Sequence, residues 1–134
     1  MVHDNLIHYN SPATMPPANG YSHVVEARQG RTIYISGQVA LNAAGELVGP
    51  GDLAAQTRQV FENIRAALEA ARADFHDVVK LTFFLTDIAQ IRTVREIRDE
   101  YVQTAKPPAS SAVEASRLVD ERFLIEIEAI AVGV

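Results

Sequence analysis

The chain has 134 residues, 48% of them hydrophobic and none of them cysteine, and its 17 acidic and 12 basic residues give a net charge of −5. This size predicts one domain with a hydrophobic core, residues 1–134, and the lack of cysteine excludes disulfides, zinc–thiolate sites and cysteine nucleophiles. The acidic balance, without a basic cluster, argues against nucleic acid as a partner. No apolar run approaches the ~18 residues of a membrane span and there is no signal pattern, so we expect a cytoplasmic protein that does not bind membranes.

The first part of the chain predicts an arm followed by two strands. Residues 1–20 are rich in Asn, Pro and Ser, and we expect a mostly irregular N-terminal arm there. Two β-rich runs follow at about 23–28 and 32–40. Gln29-Gly30 between them predicts a hairpin turn, because glycine accepts a positive φ.

Two amphipathic helices are predicted further along. Asp52 is a favourable N-cap for the first, whose apolar positions share one face and which should end near residues 72–74. In the second, apolar residues step by three or four from Ile88 to Val102. The proline pair that begins at Pro107 is expected to close this helix.

Three more strands complete the predicted order. The segment 77–87 is dense in β-branched and aromatic residues, and two alternating runs lie at about 110–116 and 124–133. The order is then β, β, α, β, α, β, β, without repeats or linkers. We expect one sheet with both helices packed against one face.

The strand patterns give the sheet an apolar face and a mixed face. The apolar row comprises Val79, Leu81, Phe83, Leu85, Ile125, Ile127, Ala129 and Ala131. The mixed row holds Tyr34, Phe84, Ile130, Lys80, Glu126 and Glu128. Such a face is too charged for a core and too apolar for open solvent, which favours a subunit interface with a partly polar cleft. A solvated face with a few aromatic residues is the alternative.

Six segments, taken in order, resemble the reactive intermediate deaminase family, also called Rid or YjgF. They are GYSHVV (20–25), IYISGQVALNAAGEL (33–47), QTRQVFENIRAALEAA (56–71), DVVKLTFFLTD (77–87), SAVEASRL (111–118) and IEIEAIA (125–131). The resemblance implies an α+β, chorismate-mutase-like single domain with a mixed β-sheet and two helices on one face. It also implies a homotrimer whose sheets form a central barrel, with clefts for a small-molecule ligand between subunits.

The best-known branch of that family hydrolyses reactive enamines and imines, such as 2-aminoacrylate, to 2-oxo acids and ammonia. An arginine in a P-A-R-S motif holds the substrate carboxylate there, a role that suits a planar guanidinium. This chain has PASS, so Ser110 stands at the arginine position. Where members often show V-N-E-x-Y, this chain has VREIRDEY, which places Arg95 at the asparagine position. The resemblance therefore implies an altered substrate.

Four further residues match positions that line the family's cleft: Tyr21, Ser36, Gly37 and Glu126. Glu126 is the candidate to orient or activate water, and a glutamate held by Lys80 or by backbone amides is the alternative. Tyr21 can form the wall of a small pocket or simply pack. Ser36 and Gly37 offer a hydroxyl and an open backbone amide to a ligand oxygen, or mark an ordinary bulge.

The stretch KPPASSAVEASRL leaves the second helix at two prolines and passes Ser110 and Ser111 before the next strand. Three interpretations stay open. Ser110 can border a cleft for a neutral or differently charged ligand, or Arg95 can restore the lost charge from the helix. Otherwise the stretch is only a turn. If Arg95 does not restore the charge, it is a solvated helix residue like Arg92 and Arg98.

The leading hypothesis is a Rid-like enamine or imine deaminase, or a related hydrolase, acting in an intersubunit cleft. The alternative is a trimer that binds a small metabolite without turnover. Endoribonuclease activity is a third class, against which the acidic balance argues. The histidines lack the spacing of a metal site, so we expect no metal and no cofactor; they are His3, His8, His23 and His76.

Overall fold

The computed structural model describes residues 5–134. Its regular elements are the strands β1 (Leu6–Tyr9), β2 (Val24–Ala27), β3 (Arg31–Gln38), β4 (Val78–Leu85), β5 (Ala109–Glu114) and β6 (Ile125–Gly133), and the helices α1 (Leu53–Ala70) and α2 (Ile91–Arg98). Short 3-10 helices precede β4 and α2, at Phe75–Asp77 and Ile88–Gln90. The predicted order of elements is confirmed. β1 is an additional strand within the predicted N-terminal arm, of which residues 1–4 lie outside the described residues.

The main sheet has four strands in the order β3-β6-β4-β5, so β3 and β5 are its edge strands. β6 is antiparallel to both of its neighbours, whereas β4 and β5 are parallel. Apolar residues from both helices and from the sheet form one buried cluster. The α+β class, with a mixed sheet and two helices on one face, is therefore confirmed. No helix within residues 5–134 combines the length and the apolar content needed to span a bilayer.

The two strands around Gln29-Gly30 do not form the predicted hairpin. Gly30 does adopt a φ of +123°, but β2 pairs with β1 in a separate two-stranded sheet while β3 pairs with β6. The reason lies in burial. Ile33 and Ile35 of β3 pack in the core, whereas β2 is mostly exposed, so only β3 gains from joining the main sheet.

α1 begins at the predicted cap. Oδ1 of Asp52 accepts a hydrogen bond of 3.1 Å from the backbone N–H of Ala55, which satisfies one of the free N–H groups of the first turn. The inner face of the helix carries Phe61, Ile64 and Leu68, each 0% exposed. Burying each such side chain contributes about 1.5–3 kcal/mol, so this face anchors the helical layer on the sheet.

The start of β4 departs from the predicted alternation. Val78 is 1% exposed, whereas Val79, which the alternation places in the apolar row, is only half-buried. The pairing with β6 shifts register between Val78 and Lys80. A bulge of this kind exchanges the two faces of a strand, and from Leu81 onward the predicted alternation holds.

α2 is shorter than the sequence predicts. The apolar spacing runs to Val102 and the proline pair begins at Pro107, yet the helix ends at Arg98. Turns replace it, and the N–H groups of Tyr101 and Val102 still donate to the Arg98 carbonyl at 2.9 and 3.0 Å. The helical periodicity therefore continues through the turns, which is why the pattern does not locate the end of the helix.

Gln56 is a fully buried polar residue of α1 that holds two loops in place. Its Nε2 donates to the carbonyl oxygens of Gly49 and Arg122 at 3.1 and 3.0 Å. Its Oε1 accepts from the backbone N–H of Leu124 at 2.9 Å. One side chain thus satisfies three backbone groups beside the start of β6 and before α1.

We expect Gln56→Leu to lower the free energy of unfolding by about 2–4 kcal/mol, because it leaves those backbone groups without a partner. Chemical denaturation at a fixed protomer concentration measures the loss. Gln59→Leu is the matched control on the same helix, since the Gln59 amide donates to the Asn63 side chain at 2.9 Å, and it should cost less than about 1 kcal/mol. Equal losses in the two variants would contradict the prediction.

Candidate functional site

A cavity of about 240 Å³ lies at the edge strand β5, between that strand and α2. Its polar walls are formed by Tyr21, Arg95, Arg98, Ser110 and Ser111, and its apolar walls by Phe83, Ile91, Val94 and Ala112. A few polar groups that converge in a partly apolar hollow are typical of small-molecule sites, and this volume is below the ~300–1,000 Å³ of pockets that hold drug-sized ligands. The structure thus brings together three of the predicted site residues, Tyr21, Ser110 and Arg95.

Ser22 ties the turn that carries Tyr21 to the proline break before β5. It is 1% exposed, and its backbone N–H donates to the carbonyl oxygen of Pro108 at 3.1 Å. Its hydroxyl donates to the carbonyl oxygen of Pro107 at 2.6 Å. Because these bonds fix residue 22 against residues 107 and 108, Tyr21 and Ser110 are held on neighbouring walls of the cavity.

The two serines of β5 have different partners. Ser110 is half-buried and lies opposite Leu81 of the core row. Ser111 is exposed, and its Oγ accepts a hydrogen bond of 3.2 Å from Nζ of Lys80. Within residues 5–134 no ion pair joins Lys80 to Glu126 or to the next glutamate of β6. The interpretation of Glu126 as a glutamate held by Lys80 is therefore wrong, because the ammonium group is directed to β5.

Arg98 is the buried cation of the cavity. Its side chain is 7% exposed, and its Nε and Nη2 lie 3.0 and 2.9 Å from Oδ1 of Asp99. Gly20 covers the guanidinium, since a Cβ at that position would overlap Nη2 and lie 3.3 Å from Cζ. The φ of Gly20 is +82°, so both the backbone and the space favour glycine there. The interpretation of Arg98 as a solvated helix residue is wrong, because this turn buries it.

The cavity is positively charged in a protein that is negatively charged overall. Arg95 reaches it from the exposed side of α2 and Arg98 from the buried side. No acidic side chain of residues 5–134 lines it, while the whole chain carries −5. Asp99 pairs with Arg98 but is itself 45% exposed, so water screens part of its charge. The electrostatics of the cavity favour an anion.

Gly37 and Glu126 form a second group, apart from this cavity. The pairing of β3 with β6 shifts register between Ile35 and Gln38, so Ser36 and Gly37 form a bulge. A Cβ on Gly37 would overlap Oε2 of Glu126 and lie 2.8 Å from its Cδ. The carboxylate therefore occupies space that only a glycine leaves open. Neither residue lines the cavity at β5.

Ser36 lies on the mixed face of the sheet, in a hollow of about 260 Å³ with Tyr34, Lys80, Thr82, Glu128 and Ile130. Tyr34 is 78% exposed there, so an aromatic ring projects from the face that carries the charged groups. The predicted site residues thus fall into two groups near opposite edges of the sheet. Tyr21, Ser110 and Arg95 lie at the β5 edge, and Ser36, Gly37 and Glu126 lie toward the β3 edge.

Two of the described histidines, His23 and His76, have polar contacts of the ring, and Nδ1 of His76 lies 3.4 Å from Oδ1 of Asp74. Nε2 of His23 lies 2.7 Å from the carbonyl oxygen of Pro16, and the His23 ring meets Tyr21 edge-on with centroids 5.3 Å apart. Burial lowers the pKa of His8, and the nearby Lys106 lowers it further. His3 lies outside the described residues. Among residues 5–134 no group of three or more His, Asp or Glu side chains is placed to hold a metal ion.

Arg98 was not among the predicted site residues, although its spacing from apolar residues of α2 indicates a buried position. Arg98 follows Ile91 by seven positions and Val94 by four, so it shares the inner face of α2 with them. It also stands where the V-N-E-x-Y pattern has its tyrosine. The helical period assigns position 98 to the core side of α2, and an arginine at such a position indicates a buried charge.

The chain matches known proteins over most of its length. Residues 12–133 match the sequence model of a family described as Endoribonuclease L-PSP. A RutC family protein of Pyrococcus horikoshii is 44% identical over 123 residues, which cover 91% of each chain. A 2-iminobutanoate/2-iminopropanoate deaminase of Bos taurus is 43% identical over 124 residues, which cover 91% of this chain and 87% of that protein.

Solved structures show the same fold. A conserved Rid family protein of unknown function from Yersinia pestis matches with a TM-score of 0.85 at 38% identity, covering 96% of this chain and 99% of that one. RidA from an Antarctic Psychrobacter matches with a TM-score of 0.72 at 32% identity, covering 98% and 100%. These similarities agree with the six ordered segments of the sequence, and the chain belongs to the Rid/YjgF family.

Proposed function

We propose that this protein is a hydrolase that converts small reactive enamines or imines to 2-oxo acids and ammonia, in a cleft between the subunits of a homotrimer. The observation that carries the proposal is the cavity at β5, which gathers three hydroxyl-bearing residues, Tyr21, Ser110 and Ser111, and two arginines in about 240 Å³. Relatives named as 2-iminobutanoate/2-iminopropanoate deaminases support this substrate class. The range of substrates differs from that of the best-known branch, because Ser110 replaces its arginine.

The reaction adds water across a C=N bond. The water oxygen bonds to the imine carbon, one water proton passes to a base, and the π electrons of the C=N bond move to nitrogen. That nitrogen then receives two protons, one returned by the protonated base and one lost by the new hydroxyl group as the carbonyl forms. The carbon–nitrogen bond breaks in the same step, which releases ammonia and leaves the 2-oxo acid. An enamine enters the same path after it takes a proton on its terminal carbon. The site must therefore supply a base for water and donors that hold the substrate.

Glu126 is the base in this proposal. Its carboxylate lies over Gly37 at the bulge of β3, where it can accept a proton from a bound water. The hydroxyls of Tyr21 and Ser110 are neutral donors for the substrate. Because Ser22 fixes the turn of Tyr21 to the proline break, these donors need little reorganisation when substrate binds.

The two groups of residues need a second subunit to meet. The cavity lies at the β5 edge of the sheet, and Gly37 lies on the opposite edge strand beside Glu126. In a closed cyclic assembly, the β5 edge of one subunit can meet the β3 edge of the next at every interface. The same assembly would cover the mixed face, on which Tyr34 is 78% exposed in the single chain.

The test is competition between hydrolysis and chemical trapping. An amino acid oxidase produces 2-iminobutanoate in solution, and semicarbazide traps the imine that has not yet hydrolysed. We expect the protein to lower the trapped fraction in proportion to its concentration, because it speeds hydrolysis. Heat-denatured protein is the control. Unchanged trapping, together with measurable binding of 2-oxobutanoate, would favour a trimer that binds metabolites without turnover.

A further inference from the structure

We propose that Arg98 is the carboxylate-binding residue of this site. The guanidinium that the P-A-R-S motif supplies from a strand comes here from the end of α2. The inference rests on the proposed function and adds to it the residue that selects the substrate. The ligands are then small 2-imino or 2-enamino carboxylates, not neutral molecules.

The burial of Arg98 separates it from the other arginines of α2. Its side chain is 7% exposed, whereas Arg92 and Arg95 are exposed. A guanidinium loses much hydration on burial and requires compensating partners. Within residues 5–134 its hydrogen-bond and ion-pair partner is Asp99 alone, through a single oxygen, Oδ1. Since a guanidinium has five N–H donors, donors remain for an anion in the cavity.

The turn at Gly20 places the guanidinium. Gly20 lies against Nη2, where a Cβ would overlap it, and Asp99 binds Nε and Nη2. The side chain is thus restrained from two sides before any ligand binds. Restraint of this kind lowers the entropy that a flexible arginine loses on forming a two-pronged contact with a carboxylate.

Ser110 and Arg98 are complementary features of one cavity, because both line the same space of about 240 Å³. An arginine at position 110 would bring two guanidinium groups into that space, where like charges repel in the absence of an acidic lining residue. Serine removes the repulsion and leaves room for the ligand. Its hydroxyl can also donate to the carboxylate that Arg98 holds.

Arg95 contributes less than Arg98 to the binding of an anion. It lines the cavity from its exposed side, so solvent screens its interaction with a bound anion. Arg98 acts from a nearly solvent-free position, where charge-assisted hydrogen bonds are stronger. Arg98 therefore supplies the positive charge that position 110 lacks, from one helical turn beyond Arg95.

The experiment measures binding of 2-oxobutanoate and of its neutral analogue 2-oxobutanamide by calorimetry, in parallel with the trapping assay. We expect the wild type to bind the carboxylate roughly 10- to 100-fold more tightly than the amide, and Arg98→Gln to lose that preference. Arg92→Gln is the matched control, since Arg92 is an exposed arginine of the same helix outside this cavity, and it should keep the preference. Ser110→Arg in the Arg98→Gln background should restore it.

The outcomes separate this inference from the proposed function. If Arg98→Gln, folded by circular dichroism, retains the carboxylate preference, or if the wild type shows none, Arg98 is not the anchor, even if the wild type hydrolyses imine. If the preference depends on Arg98 but the wild type hydrolyses no imine, the anchor stands and the hydrolase proposal fails. If Arg98→Gln does not fold, Arg98→Lys replaces it. That variant keeps the charge but not the planar fork, and an unchanged preference for the carboxylate would overturn the inference.

Discussion

Glu126→Gln should lower the rate of imine hydrolysis by about 100-fold or more, while binding of 2-oxobutanoate stays within about threefold of wild type. Glutamine has nearly the same shape as glutamate but cannot accept the proton that water must lose when its oxygen bonds to the imine carbon. The substitution therefore removes a contribution made in the transition state and leaves the ground-state contacts at Arg98 and Ser110 in place.

Glu128→Gln is the matched control for that experiment. Glu128 is two residues further along β6 and is exposed on the mixed face, whereas Glu126 is half-buried, and Glu128 does not lie over Gly37. We expect its rate to remain within about threefold of wild type. Equal losses in the two variants would point to a general effect of charge on this face, and an unchanged rate in Glu126→Gln would remove Glu126 as the base.

The fold was predictable because its strongest signals are local. The alternation of β6 places Ile125 and Ile127 in the core, where both are 0% exposed, and Asp52 caps α1 as expected. The failures arise where tertiary pairing decides the outcome. The bulge after Val78 depends on the register with β6, which no property of the β4 segment specifies.

The site was less predictable than the fold, and Arg98 shows why. Whether an arginine on a helix is solvated or buried depends on what covers it, and here the cover is a turn at Gly20, far away in the sequence. Helical spacing identifies the face of Arg98 but not that cover. The resemblance identified Ser110 and Arg95 as candidates, whereas the buried guanidinium is that of Arg98, on the next turn of the helix. The motif identifies the position that lacks the arginine, whereas the burial of Arg98 is visible only in the packed structure.

Mixed trimers built from Arg98→Gln and Glu126→Gln subunits should regain about one third of wild-type activity per trimer, because each variant alone lacks one half of every proposed site. The proposed site joins Arg98, at the β5 edge of one subunit, to Glu126, near the β3 edge of the next. In a cyclic trimer that contains both Arg98→Gln and Glu126→Gln subunits, one interface in about three combines two intact halves, whichever variant is in excess. Co-expression with two different tags, followed by purification on each tag in turn, isolates these mixed trimers.

The recovered activity depends on the two halves lying on different subunits. If Arg98 and Glu126 served the same site from one subunit, every site in the mixed trimer would lack one of them, and activity would stay at the level of the single variants. The two variants purified separately and mixed without reassembly are the control, and they should remain inactive. A particle mass of one subunit would contradict both the trimer and the shared site. Recovery near one third would place the base and the carboxylate anchor on neighbouring subunits, so that catalysis requires assembly.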